Sequence, residues 1–167
     1  MARLKRTEKL DKMVTNFVKK FGCEAELGSE FCYWHGEDLI NYSLVVPCDT
    51  DDFWKEFVYR AFNYKIENIF MFSLLHEVGH HFTMDNFSKK QRNAENRMTE
   101  EIESKLSEST SKTVDKGLNF KYFNMPMEKV ATKWAIRYYK KHRREINHFW
   151  HKFRKELKKF YQANNVK

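Results

Sequence analysis

The stretch MFSLLHEVGHHFTMD, residues 71–85, sets His76, Glu77, His80 and His81 directly behind an apolar run. The whole chain has seven histidines, so three of them within positions 76–81 is a concentration that asks for a reason. The run before them, IFMFSLL, leaves no polar face, which predicts a helix from about residue 66 to 84 driven into the core. At about 100° per residue, His80 lies about 40° round from His76 and one turn along, with Glu77 about 60° from His80. Both imidazoles and the carboxylate therefore share one side of a buried helix.

The segments around it read as follows. Residues 4–21 place Leu10, Met13, Val14, Phe17, Val18 and Phe21 at helical spacing, with Gly22 as the stop. Residues 23–46 break into three short runs rich in β-branched and aromatic residues, divided by Gly28-Ser29 and Gly36-Glu37-Asp38. They predict a three-stranded antiparallel meander ended by Pro47. Asp49, Thr50, Asp51 and Asp52 offer N-caps for a helix that turns Phe53, Trp54, Phe57, Val58, Ala61 and Phe62 inward. Residues 86–117 are polar and carry both signs of charge, which predicts an exposed helix followed by a loop at STSKTVDKG. Asn124 is the expected N-cap of a further helix with Pro126 in its first turn. In the last stretch Ile146, Phe149, Trp150, Phe153, Leu157 and Phe160 form one apolar stripe among lysines and arginines.

Composition narrows the class. A chain of 167 residues with 41% apolar residues, two prolines and five glycines fits one mainly helical domain with a real core. There is no apolar run of spanning length and no apolar leader, and the three cysteines, Cys23, Cys32 and Cys48, lack a CxxC pair. The expected setting is the cytoplasm, without a membrane span or disulfide framework. The net charge of +8 sits at the ends. Residues 1–20 carry a net +5 and residues 140–159 a net +7, while 21–139 carry −5. A nucleic acid or an acidic partner would meet these basic terminal helices.

His76-Glu77-Val78-Gly79-His80 is H-E-x-x-H, a spacing that lets two neutral imidazoles hold Zn2+ while Glu77 reaches a water without ligating. The metal brings the pKa of that water toward ~7, and the carboxylate takes its proton and later hands it to a leaving amine. A third ligand is needed. Asp85 lies nearly opposite His76 on the helical wheel, and Glu95, Glu100, Glu101, Glu103 and Glu108 fall in the polar stretch. Glu128 opens a helix bearing Val130, Ala131, Trp134 and Ala135, whose small alanines allow close approach, so it is the preferred ligand with Glu108 in reserve. His81 is expected beside the site, not in it.

HEVGHHF on a helix, preceded by a small sheet and followed by MPMEKVATKWAIRYY, resembles the ImmA/IrrE-type zinc metallopeptidases over about residues 39–140. The resemblance implies metal ligands at His76, His80 and Glu128, the catalytic glutamate at Glu77, and packing positions at Ala131, Trp134 and Ala135. It also implies a mainly helical, zincin-like α+β domain with a small antiparallel three-stranded sheet. The expected layout is one domain over 1–167 with a basic helical extension at about 143–163. Family members often occur on phages and mobile elements and act on repressors, so the implied substrate is a protein or peptide, a repressor or other regulatory protein. Zincins commonly bind an extended substrate along an edge strand beside the active-site helix, and LINYSLVV is the expected strand. The alternative is a regulatory module that binds nucleic acid or protein through its basic terminal helices, with zinc structural or activity lost.

Overall fold

The computed structural model describes residues 2–44 and 48–164. The role expected of Pro47 lies outside them. Among the described residues six α-helices and three short strands follow in chain order: α1 (Ala2–Lys19), β1 (Glu24–Leu27), β2 (Cys32–Trp34), β3 (Leu39–Tyr42), α2 (Cys48–Phe62), α3 (Ile69–Thr83), α4 (Lys89–Glu108), α5 (Lys112–Phe123) and α6 (Pro126–Asn164). The class is α+β, mainly helical, as the sequence predicts. Among the described residues no helix is long and apolar enough to cross a membrane.

α3 is the axis of the molecule. Twelve of its fifteen residues are buried, which is what an all-apolar helix requires. Asn68 starts it, accepting a hydrogen bond from the Met71 N–H at 3.1 Å. On one side α3 meets β2 and β3; on the other it lies along α6. The approach to α6 is so close that a Cβ built on Gly79 would sit 2.6 Å from the Ala131 carbonyl oxygen. The glycine of the motif is therefore a packing requirement, and Ala131 is its counterpart.

The sheet departs from a meander. Its order is β1-β3-β2, with β3 parallel to β1 and antiparallel to β2. Successive strands still alternate in direction, but residues 28–31 carry the chain past the central slot, and β3 fills it. β3 is the strand with fully buried side chains, Ile40 and Tyr42, so it takes the position covered on both edges. Gly36 and Asp38 adopt positive φ in the β2–β3 turn, where a tight reversal needs it.

Three other local readings change. α2 begins at Cys48, so Asp49, Thr50, Asp51 and Asp52 lie within the helix and not at the position that precedes it. The expected loop at STSKTVDKG is mostly the start of α5, held because Phe120 and Phe123 pack on Phe57 of α2 at 5.7 and 5.6 Å between ring centroids. Asn124 has α-helical φ/ψ and closes α5. The N-terminus of α6 is capped from a distance: Glu95 on α4 accepts the Met127 N–H at 3.1 Å.

α6 spans 39 residues with one break in helical geometry at His142. Its second half is packed into the core. Ile146 and Phe153 are fully buried, Phe153 stacks on Phe70 at 4.8 Å, Phe149 meets Phe17 of α1 at 4.5 Å, and the Tyr161 hydroxyl donates to the Leu44 carbonyl. Burying side chains of this size contributes about 2–3 kcal/mol each, so residues 146–161 help hold α1 and α3 together.

Candidate metal centre

His76 and His80 project from α3 toward the first turn of α6, where Glu128 faces them. Glu128 Oε2 is 2.9 Å from His76 Nε2, Glu128 Oε1 is 3.4 Å from His80 Nε2, and the two Nε2 atoms are 3.1 Å apart. All three side chains are buried, and one ligand atom from each lies within 4.8 Å of the others. Glu108, by contrast, is exposed at the end of α4, as are Glu100, Glu101 and Glu103. Asp85 pairs with His35 at 3.1 Å. Of the carboxylates weighed as third ligand, only Glu128 joins the two histidines.

The donor set fits a divalent cation. Two ring nitrogens 3.1 Å apart can share only one proton between them, and both point at the same carboxylate. A cation between the three accepts all their lone pairs at once. The proton arrangement around His76 agrees: a ligating Nε2 places the ring proton on Nδ1, and the Thr132 hydroxyl lies 3.2 Å from that Nδ1 to accept it. His80 Nδ1 is buried with no partner among the described residues. Trp54 presents to His76 at 5.0 Å between ring centroids, in an edge-on arrangement, and shields its flank.

Electrostatics bind the cluster together. Burial alone would raise Glu128, but the charge on His80 and hydrogen bonds from both histidines hold it well below the usual carboxylate range. Burial lowers His80, yet the Glu128 charge outweighs it and pushes the imidazole up to about 9. Glu77 is raised mainly by burial, against the opposing pull of His76 and His80. A metal must displace the His80 proton. Affinity for a divalent metal is therefore expected to climb about tenfold per pH unit through neutrality and to level off at about pH 9. Chelator competition across that range measures it, and a flat profile would contradict the pairing.

A cleft of about 160 Å³ opens onto this cluster, with Tyr33, Glu77, His80, Tyr122, Met127 and Glu128 among its walls. Burial and the nearby carboxylates Glu128 and Glu77 raise the Tyr122 phenol well above its ordinary value, and it hydrogen-bonds Glu128. It thus stays a proton donor facing the cleft. Cys32 also lines the cleft, with its thiol raised chiefly by burial; Cys23 and Cys32 are both free. β2, the strand beside α3 on this side, is an edge. β3, within the run expected to take that role, is paired on both sides. His81 stays outside the cluster, with Nδ1 2.9 Å from Asp38 and 3.2 Å from the Tyr33 hydroxyl.

Four contributors escape the motif: Thr132, Tyr122, Trp54 and Glu95. Thr132 carried a signal, a lone small hydroxyl on the apolar face of α6, one turn after Glu128. Glu95 is buried within a stretch whose charge pattern reads as solvated, and Tyr122 has no local signature. In comparisons with known proteins, no family model, no curated protein and no solved structure matches this chain.

Proposed function

We propose that this protein is a zinc-dependent peptidase of the ImmA/IrrE-like kind, cleaving a repressor or another regulatory protein. The observation that carries the reading is the convergence of His76, His80 and Glu128, buried together beside a free carboxylate, Glu77, on the wall of a cleft. Zinc held by those three residues supplies a Lewis acid and an acidified water. Glu77 takes the proton from the attacking water and delivers it to the departing amine, and its burial makes it a stronger base than a solvated glutamate. Tyr122 lines the cleft and stays protonated, and once Glu128 turns to the metal its hydroxyl would donate to the oxygen on which charge develops. The free edge of β2 offers backbone groups to an extended substrate segment running past Tyr33. A zinc that only braces the fold takes four protein ligands; here three converge and the side with Glu77 opens to the cleft.

The test is co-expression with repressor-like proteins encoded beside it, reading for one defined cleavage. The product is expected with zinc and absent after chelation. Cleavage that persists at full rate in chelator would sink the zinc reading.

A further inference from the structure

A second surface stands apart from the cleft. From Arg137 to Lys159, on each side of the break at His142, every residue in the outward sector of about 130° around α6 is lysine, arginine or histidine. All are exposed, and the opposite face buries Tyr139, Ile146, Phe153 and Leu157. Among the described residues no carboxylate pairs with Arg137, Lys141, Arg144, Lys152, Lys155 or Lys158. The two acids of this half of the helix lie at the sector's margin and are already engaged, Glu145 by Lys20 and Glu156 by Lys9 and Lys159. The charge of these six side chains is thus left uncompensated over about 32 Å of α6, from Arg137 to Lys158.

We propose that this stripe binds the phosphate backbone of a nucleic-acid duplex without reading its sequence. The inference does not rest on the peptidase reading. Duplex DNA carries one charge per about 1.7 Å of axis, so a rod of cations about 32 Å long matches a run of phosphates in length and sign. Other anionic partners fit less well. An interfacial membrane helix carries large apolar groups beside its cations, and the exposed large apolar residues, Trp34, Tyr59, Phe82, Met98 and Val114, all lie off α6. A single strand is held by exposed aromatic platforms, whereas Phe149 and Trp150 turn inward against Phe17 and Phe70. An acidic protein is gripped at desolvated aromatic and arginine anchors, and this face is mostly lysine.

Fluorescence anisotropy with labelled random-sequence DNA and RNA duplexes of about 20 base pairs tests it, the tighter of the two naming the source. Six phosphate contacts give a slope of about −5 in log K against log salt, a loss of about 10³ between about 50 and 200 mM. A variant combining Lys141→Gln, Arg144→Gln, Lys152→Gln and Lys155→Gln, all exposed, is expected to flatten the slope to about −2 and to weaken binding at least about tenfold at the lower salt. Its zinc content and circular dichroism should match the wild type. No binding of either duplex at low salt, a wild-type slope shallower than about −2, or a folded variant that binds undiminished each overturns the proposal. So does equal competition, charge for charge, by polyglutamate or by phosphatidylserine vesicles. The wild-type slope decides even where the variant does not fold.

Discussion

Glu77→Gln is expected to leave zinc binding and fold intact while lowering peptide hydrolysis by about 10² to 10⁴. Glutamine has the size of glutamate and fits the same buried wall of the cleft, but its amide cannot accept a proton from water. It also removes a buried carboxyl whose charge is disfavoured by desolvation, so stability should hold or rise. His76→Ala should behave differently. Its Nε2 lies 2.9 Å from Glu128 and 3.1 Å from His80, so metal, activity and part of the stability are expected to go together, since metal binding is coupled to folding. Metal content, thermal melting and cleavage of a co-expressed substrate, measured on both variants, separate the two roles. Undiminished cleavage by Glu77→Gln would remove the general base from the account.

Gly79→Ala should be the most damaging change that touches neither a ligand nor the base. In most helices this substitution stabilises by about 1 kcal/mol. Here the new methyl would sit 2.6 Å from the Ala131 carbonyl oxygen and 3.1 Å from its Cα. Backbone cannot swing aside as a side-chain tip does, so α3 and α6 must part. Overpacking of this kind costs about 1–3 kcal/mol. The same movement separates His76 and His80 from Glu128, and zinc affinity should fall about 10- to 100-fold, the range seen when the supports of a metal site are disturbed. Gly117→Ala is the control. It lies in α5 with nothing within 4 Å of the added Cβ, so it should stabilise by about 0.5–1 kcal/mol. Melting curves of both variants with and without zinc are expected to move in opposite directions.

The parts visible in the sequence share a feature: each was written in adjacent or periodic residues. The 3.6-residue spacing along α1 and α6, the apolar run of α3 and the H-E-x-x-H step are local, and the structure places them as read. Glu128 was accessible because an apolar, alanine-bearing helix follows it. The misreadings are non-local. β3 takes the central slot because Ile40 and Tyr42 are wanted beneath α3, which no turn residue announces. α5 forms at a segment of weak propensity because Phe120 and Phe123 find Phe57. Glu95 is buried because the start of α6 needs an acceptor that Asn124 does not supply. In each case a partner far along the chain overrode the local preference.

His76, His80 and Glu128 are expected to hold one zinc ion. The metal content of protein purified without chelator after zinc supplementation, wild type beside Glu128→Ala, decides it. About one zinc per chain is expected for the wild type, and a severe loss for the variant, which removes one of three protein ligands. A wild-type chain with well under one equivalent of zinc, or a Glu128→Ala chain that keeps its full complement, would contradict the account.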